Sequence, residues 1–292
     1  MSPRGPYDAK RLVRICHPSD FSEASEVAFA HALKLALVSA AELQIIHVSR
    51  HVTTDEADVH WTNFPGVRQT LARWGVLPLG AKAEEVAHSG LRVSKILRGG
   101  NDPVESLLDH WEDEAIPDLL ILATHQRDGL ARLFHRSVAE PLARAARTMT
   151  LFVPQDSKGF VSLTEGGVQL RRILIPVDHR PDAQRALEEA FFLAKGLGCP
   201  AVEFKLFHAG TDRSMPTLFL PHEPGWVWTK QVMSGSPVEE ILKKDADWKP
   251  DLMVLATEGH QEFFDALRGS TSERVLRGAR CPVLAVPAES AE

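Results

Sequence analysis

The chain has 292 residues, 44% hydrophobic and 25% charged, a soluble globular profile long enough for two domains of roughly 150 residues, each with its own core. Its 33 Lys and Arg stand against 39 Asp and Glu, a net charge of −6, which argues against a nucleic-acid partner because neutralising a run of phosphates takes a basic excess. No stretch approaches the roughly 20 apolar residues of a membrane span, the opening MSPRGPYDAKRLVRICHPSDF has no apolar signal-peptide core, and Cys16, Cys199 and Cys281 form no CxxC, so a cytoplasmic, reducing location with buried thiols is expected.

In chain order, short apolar runs rich in β-branched residues at 12–16, 43–48, 91–97, 118–123 and 149–153 predict buried strands. The first leads into HPSD (17–20). Asp20 reads two ways there: Asp20-x-x-Glu23 fits a capping box for the next helix, and a carboxylate at a strand exit can accept hydrogen bonds from a ribose hydroxyl. The following helix puts Ala24, Val27, Ala28, Leu35 and Val38 on one stripe. His47, His51 and His60, and the pair Cys16-His17, lack the His-x-x-x-His spacing or Cys pair of a zinc site, so no metal is assigned. A helix over 65–87, with Leu71 and Trp74, reads as packing. The fourth strand ends at Ala123-Thr124-His125-Gln126; nine residues intervene before Arg136 and Ser137, and Ser137-x-x-Glu140 is a capping box. The Gly-, Ser- and Thr-rich stretch 156–169 reads as a linker between domains at 1–155 and 170–292.

The second half repeats the first. PDLLILAT (117–124) returns as PDLMVLAT (250–257) at an offset of 133, which also aligns Ser137 with Ser270, Glu140 with Glu273 and Pro154 with Pro287. RLVRICHPSDFS (11–22) answers to LRRILIPVDHRP (170–181), with Asp20 against Asp178 at an offset of 158, and His47 answers to His208. From His47 to Pro103 there are 55 intervening residues, but from His208 to Pro237 only 28, so the second copy has lost about one helix. MPTLFLP (215–221), with Trp226 and Trp228 beyond it, stands in that helix's place and reads as core or pairing surface, or as a lid over a strand-end site. A stripe of Ala183, Ala186, Leu187, Ala190, Ala194 and Leu197 matches the first copy's helix. Strands alternating with helices predict a parallel sheet covered on both faces, with ligands outside the carboxyl ends of the strands where their order reverses.

The second copy's fourth strand leads into Leu255-Ala256-Thr257-Glu258-Gly259, then nine residues, then Gly269-Ser270-Thr271. Small residues let backbone approach a ligand, and free N–H groups at a helix start favour an anion. Ser270-x-x-Glu273 is also a capping box, and a cap and a phosphate can share one helix start.

HPSDFSEAS (17–25), this glycine-spaced loop and the closing CPVLAVP (281–287) resemble the universal stress protein family, in two tandem copies. The resemblance implies an α/β fold in each copy: an open five-stranded parallel sheet with helices on both faces, Rossmann-like and of the adenine-nucleotide α-hydrolase-like type. It further implies that the copies pair through their last strands and that homodimers form. Some members of the family bind ATP through the loop and others do not. Carried over, Pro176, Val177 and Asp178 fall on the ribose side, the backbone of Ala209 meets adenine, and Leu255, Ala256, Thr257, Gly259, Gly269, Ser270 and Thr271 make the phosphate side. Two departures stand out. Ala256 replaces a loop glycine, and Glu258 would repel phosphate unless it points away or Mg2+ intervenes. The first copy's counterparts, Pro18, Ser19, Asp20, Val48, Ala123, Gln126, Arg136 and Ser137, have lost the glycines, although Arg136 could reach a phosphate or a partner carboxylate directly.

The leading expectation is a tandem stress-response protein that binds ATP, with or without Mg2+, mainly in its second copy, any hydrolysis being slow and incidental. The alternatives are a non-nucleotide scaffold acting through protein contacts and, third, a hydrolase using Asp178 and a metal. A serine nucleophile has no Gly-x-Ser-x-Gly to support it.

Overall fold

The computed structural model describes residues 12–49, 63–124, 139–257 and 271–288, and the chain divides into two compact units, one of Val13–Gln169 and one built on Leu170–Glu292. The first runs β1 (Arg14–Pro18), α1 (Glu23–Ser39), β2 (Glu42–Ser49), α2 (Val67–Arg73), α3 (Ala83–His88), β3 (Arg92–Gly99), α4 (Pro103–Glu114), β4 (Leu119–Thr124), α5 (Ala139–Ala146) and β5 (Met149–Pro154). Its strands lie in the order β3-β2-β1-β4-β5, all parallel. Ile15 and Cys16 on β1, Leu43, Ile45 and Ile46 on β2, and Leu119 to Leu122 on β4 are buried without alternation, as strands covered on both faces must be.

The start of α1 differs from the capping box expected at Asp20. Phe21 adopts φ +62°, which turns the chain so that Ser22 becomes the N-cap, its Oγ accepting from the Ser25 N–H at 3.4 Å. Asp20 instead braces that cap, Oδ1 accepting from Ser22 N at 3.0 Å and Ser22 Oγ at 2.6 Å. The buried residues of α1 include Ala28, Phe29, Ala32, Leu33, Leu35 and Ala36, whereas Val38 is 41% exposed. The expected stripe therefore holds at Ala28 and Leu35 and fails at its end, Val38, because apolar residues line more than one face of the helix. The single helix expected over 65–87 is two, α2 and α3, separated by a turn in which Gly75 and Gly80 take φ +71° and +81°. Leu71 is buried there, as the packing role requires.

Residues 156–169 fold back on this first unit. Val161 bridges Val168, and buried Phe160 stands edge-on to the His31 ring at 4.4 Å. His31 Nδ1 donates to Val27 O at 2.7 Å, which leaves Nε2 to accept the Phe160 N–H at 3.0 Å. The Trp74 indole N–H donates to Leu163 O at 3.1 Å, and the ring lies where a Cβ on Gly166 (φ +64°) would fall.

The second unit runs β6 (Arg172–Pro176), α6 (Gln184–Gly196), β7 (Glu203–Ala209), a 3-10 turn (Asp212–Ser214), β8 (Val227–Met233), α7 (Pro237–Trp248), β9 (Leu252–Thr257), α8 (Thr271–Gly278) and β10 (Val283–Pro287). Its strand order, β8-β7-β6-β9-β10, repeats the first topology, again all parallel. The α6 stripe is buried as expected, from Ala183 to Ala194. Where the first unit has α2 and α3, this one has the 3-10 turn and an extended stretch strapped down by Gln184. That amide donates to Phe219 O at 3.1 Å and accepts from Phe219 N at 2.9 Å. Pro216 and Pro221 are buried in this stretch, while the Phe219 side chain is 77% exposed. Trp226 packs on Phe191 and Phe204, and Trp228 stacks on Phe204 at 4.1 Å.

The repeated PD dipeptides have a structural task. Asp118 Oδ2 accepts from Val13 N at 2.9 Å and Arg14 N at 3.0 Å, and Asp251 Oδ2 accepts from Arg171 N and Arg172 N, both at 2.8 Å. Each carboxylate pins the start of its unit's first strand to the start of the fourth. Asp251→Ala is expected to cost about 2 kcal/mol in urea unfolding, and Asp251→Asn, which keeps an acceptor, markedly less.

His31 and His17 are fully buried and neutral, each pushed down to about 4 from 6.5, chiefly by desolvation against the opposing pull of a backbone carbonyl hydrogen bond. Below 6.5 the unfolded chain takes up protons at these rings and the folded chain does not, so their stabilisation is complete above 6.5 and is lost as pH falls towards about 4. The loss approaches about 3 kcal/mol for each ring. The urea midpoint is expected to fall between about pH 7 and about pH 4.5, and less steeply in His31→Gln; equal slopes would contradict the assignment.

Candidate functional site

In each unit the strand order reverses beside the first strand, between β1 and β4 and between β6 and β9. The ladders there are short. Ile15 pairs with Leu119 and Cys16 with Leu120; Ile173 pairs with Leu252 and Leu174 with Met253. The flanking pairs β1–β2 and β6–β7 run on to the strand ends at Pro18 and Pro176. A crevice at the carboxyl edge of a reversal point is where open α/β sheets place ligands.

The two units fill this place differently. In the first, His17 Nδ1 donates to Ile121 O at 2.9 Å, so the neutral ring's Nε2 is an acceptor and faces Ser25 Oγ at 3.2 Å. With its proton given to His17, Ser25 Oγ accepts from Ser19 Oγ at 2.9 Å. His17, Ser19 and Ser25 are all buried. Phe21 stacks on His47 at 4.0 Å and meets Phe64 edge-on at 5.1 Å, adding an aromatic group at the exits of β1 and β2. At the offset of 158 the second unit has Ile175, Val177 and Ala183 in place of the three polar residues, all buried and apolar.

Other features are shared. Ser19 N donates to Ile46 O and Val177 N to Phe207 O, both at 2.9 Å. His47 Nδ1 donates to Ser19 O at 2.7 Å, and His208 Nδ1 to Val177 O at 2.9 Å. The strand-end histidines thus tie the exits of the first two strands together in each unit. His208 Nε2 also lies 2.9 Å from Ser214 Oγ.

The carboxylates differ in engagement. Asp20 braces the Ser22 cap, whereas exposed Asp178 accepts, among the described residues, its neighbour's N–H from His179 at 2.8 Å, and does not cap α6, whose first turn is met by Asp182 at Gln184 N. At the same edge stand Leu255, Ala256 and Thr257 at the end of β9, Ala209 at the end of β7, and exposed Thr271 opening α8. In the first unit Pro18, Val48, Ala123 and Thr124 hold the matching strand-end places. Glu258, Gly259, Gly269 and Ser270, and Gln126, Arg136 and Ser137, lie outside the described residues, as do His51 and His60.

Among the described residues no three His, Cys, Asp or Glu side chains gather to hold a metal ion, and no helix is long and apolar enough to cross a membrane. All three cysteines are free thiols; burial raises Cys16 and Cys281 well above the ordinary thiol range and Cys199 to about 11, with Asp251 adding to the last. A thiol held protonated is a poor nucleophile. The His17–Ser25–Ser19 chain is the feature that motif reading missed, although three polar residues facing three apolar ones at one offset was a signal for it.

The sequence matches the profile of the universal stress protein family over residues 13–154 and 217–287. A universal stress protein of Methanocaldococcus jannaschii is 39% identical over 56 residues, 19% of this chain, and the match spans 33% of that relative's length. Among solved structures, a universal stress protein of Archaeoglobus fulgidus superposes with a TM-score of 0.60 at 18% identity, covering 94% of this chain and 98% of its own. A protein of unknown function from Pseudomonas aeruginosa gives 0.61 at 14% identity, covering 95% and 93%. At such identities the likeness is one of fold.

The polar chain of the first unit should behave as a single entity. Ser25→Ala removes the donor to His17 Nε2 and the acceptor of the Ser19 hydroxyl proton, leaving Ser19 Oγ the Phe21 N–H, and is expected to cost about 1–3 kcal/mol in urea unfolding. The triple change His17→Ile, Ser19→Val, Ser25→Ala, which installs the second unit's residues, should cost much less than the sum of the singles. An additive triple would refute a self-contained network.

Proposed function

The chain belongs to the universal stress protein family, with the role in stress response that membership carries, and from that premise we propose that its second unit binds an adenine nucleotide, ATP with Mg2+ in particular. The observation that carries the reading is the contrast between Asp178 and Asp20. Asp178 stands exposed at the exit of β6 with one local hydrogen bond among the described residues, and a carboxylate has further acceptor capacity for the two hydroxyls of a ribose. Beside it the walls of the reversal point are apolar, suited to one edge of a flat base, and the backbone of Ala209 flanks that wall. In the first unit the equivalent carboxylate is occupied by Ser22, and the equivalent wall is the His17 hydrogen-bond chain.

In this reading Gly259, Gly269, Ser270 and the Thr271 N–H receive the phosphates at the start of α8, where an anion is favoured by free N–H groups and the helix dipole. Mg2+ would offset the charge of Glu258. No hydrolytic role is proposed. A scaffold acting through protein contacts is the second reading, favoured by Phe219, whose ring stands out from the strap at 77% exposure.

Thermal unfolding with and without millimolar Mg-ATP separates the two. A nucleotide at 100 times its dissociation constant adds about 2.7 kcal/mol of stability, and the midpoint should rise accordingly. Asp178→Ala should weaken binding about tenfold, Gly269→Arg should abolish the shift, and Asp20→Ala should leave it intact. No shift in the parent chain, together with no adenine nucleotide released from freshly purified, denatured protein, would favour the scaffold.

A further inference from the structure

The first unit carries a second concave site, away from the reversal point, that the second unit lacks. It is a cleft of about 580 Å³ between the first half of β3 and the inserted helices α2 and α3, a size that suits a small-molecule ligand. Its apolar wall includes Val67, Val86 and Leu91, all buried. Its charged groups are Arg68, Arg92 and Lys95, and no carboxylate is among its described lining residues. In a chain of net charge −6 this is a local inversion of sign.

Lys95 sits inward and half-buried, its ammonium 5.8 Å from the centroid of the Phe64 ring. Desolvation, followed by repulsion from Arg68, holds it below the ordinary lysine range. No described acidic group is among the causes that offset either effect; on α3, Glu85 accepts the Lys82 N–H at 2.6 Å. Arg68 and Arg92 are exposed, and the one described contact of the Arg68 guanidinium is a long hydrogen bond of 3.4 Å to Ala81 O. A partly dehydrated cation beside a second cation, over an apolar floor, gains from an anion that brings its own apolar body: the anion restores charge balance, and the body displaces water from Val67, Val86 and Leu91.

We propose that this cleft binds a small amphipathic anion, a single carboxylate on an apolar body, with the carboxylate between Lys95 and Arg68. The site is peculiar to the first unit, because α2 and α3 occupy the stretch that the second copy has replaced by a 3-10 turn and strap.

Isothermal titration of the full chain with octanoate, octanol, acetate and inorganic phosphate tests this. Octanoate is expected to bind one to one and to persist in saturating Mg-ATP, while octanol lacks the charge and acetate and phosphate lack the body, so each binds at least about tenfold more weakly. Lys95→Met should weaken octanoate at least about tenfold and Lys95→Arg should restore it; Arg68→Gln, on an exposed side chain, provides the same test should the Met variant fold poorly. Absent octanoate binding, octanol binding as tightly, or affinity unchanged in both charge-removing variants would each overturn the assignment.

Discussion

Each unit depends on one carboxylate. Asp118 and Asp251 take two successive backbone N–H groups from the strand that begins the sheet, and thereby hold it against the fourth strand where the ladder between them is only two pairs long. Arg14 and Arg172 reinforce the same corner, reaching Ala115 O and Trp248 O. With that end fixed and the ladder ending early, the carboxyl ends are free of each other, and the reversal point becomes a place where side chains, or a ligand, must supply the missing partners. The site at one edge of the sheet follows from the clamp at the other.

The two copies answer that demand in opposite ways. The first supplies its own partner: His17 takes Ile121 O, and Ser25 and Ser19 extend the chain. The second has the apolar Ile175, Val177 and Ala183 at those places and an exposed Asp178 whose described hydrogen bond is to its neighbour's N–H. Removing one member of a satisfied buried network is costly, so the first copy's three polar residues are held as a set. The same copy keeps the helical insert that builds the cationic cleft, and the second copy has traded that insert for a strap held by Gln184. The duplication has therefore produced two differently equipped halves on one topology.

Much of this was legible in the sequence. The apolar runs located the five strands of the first unit to within about two residues, β8 in the second unit went unread, and the repeated Asp20/Asp178 and His47/His208 pointed to the strand exits that the topology brings to one edge. What escaped depended on backbone turns and on contacts distant in sequence. The cap of α1 moved from Asp20 to Ser22 because Phe21 takes a left-handed conformation stabilised by stacking on His47, which local pattern does not encode. The face of α1 was ambiguous because alanines and leucines surround it. The cationic cleft brings Arg68 beside Lys95 across two helices and a strand, and no linear motif spells such a juxtaposition.

The segment after β5 bears on how the chain can be divided. Phe160 and Leu163 satisfy a histidine on α1 and an indole beyond α2, so residues that look like a tether are part of the first half's interior. A fragment ended at Pro154 would lose the donor to His31 and the acceptor for Trp74, and would uncover the seat of Phe160. The natural cut for isolating the halves, or for grafting one onto another protein, lies at Gln169, not in the middle of the glycine-rich stretch.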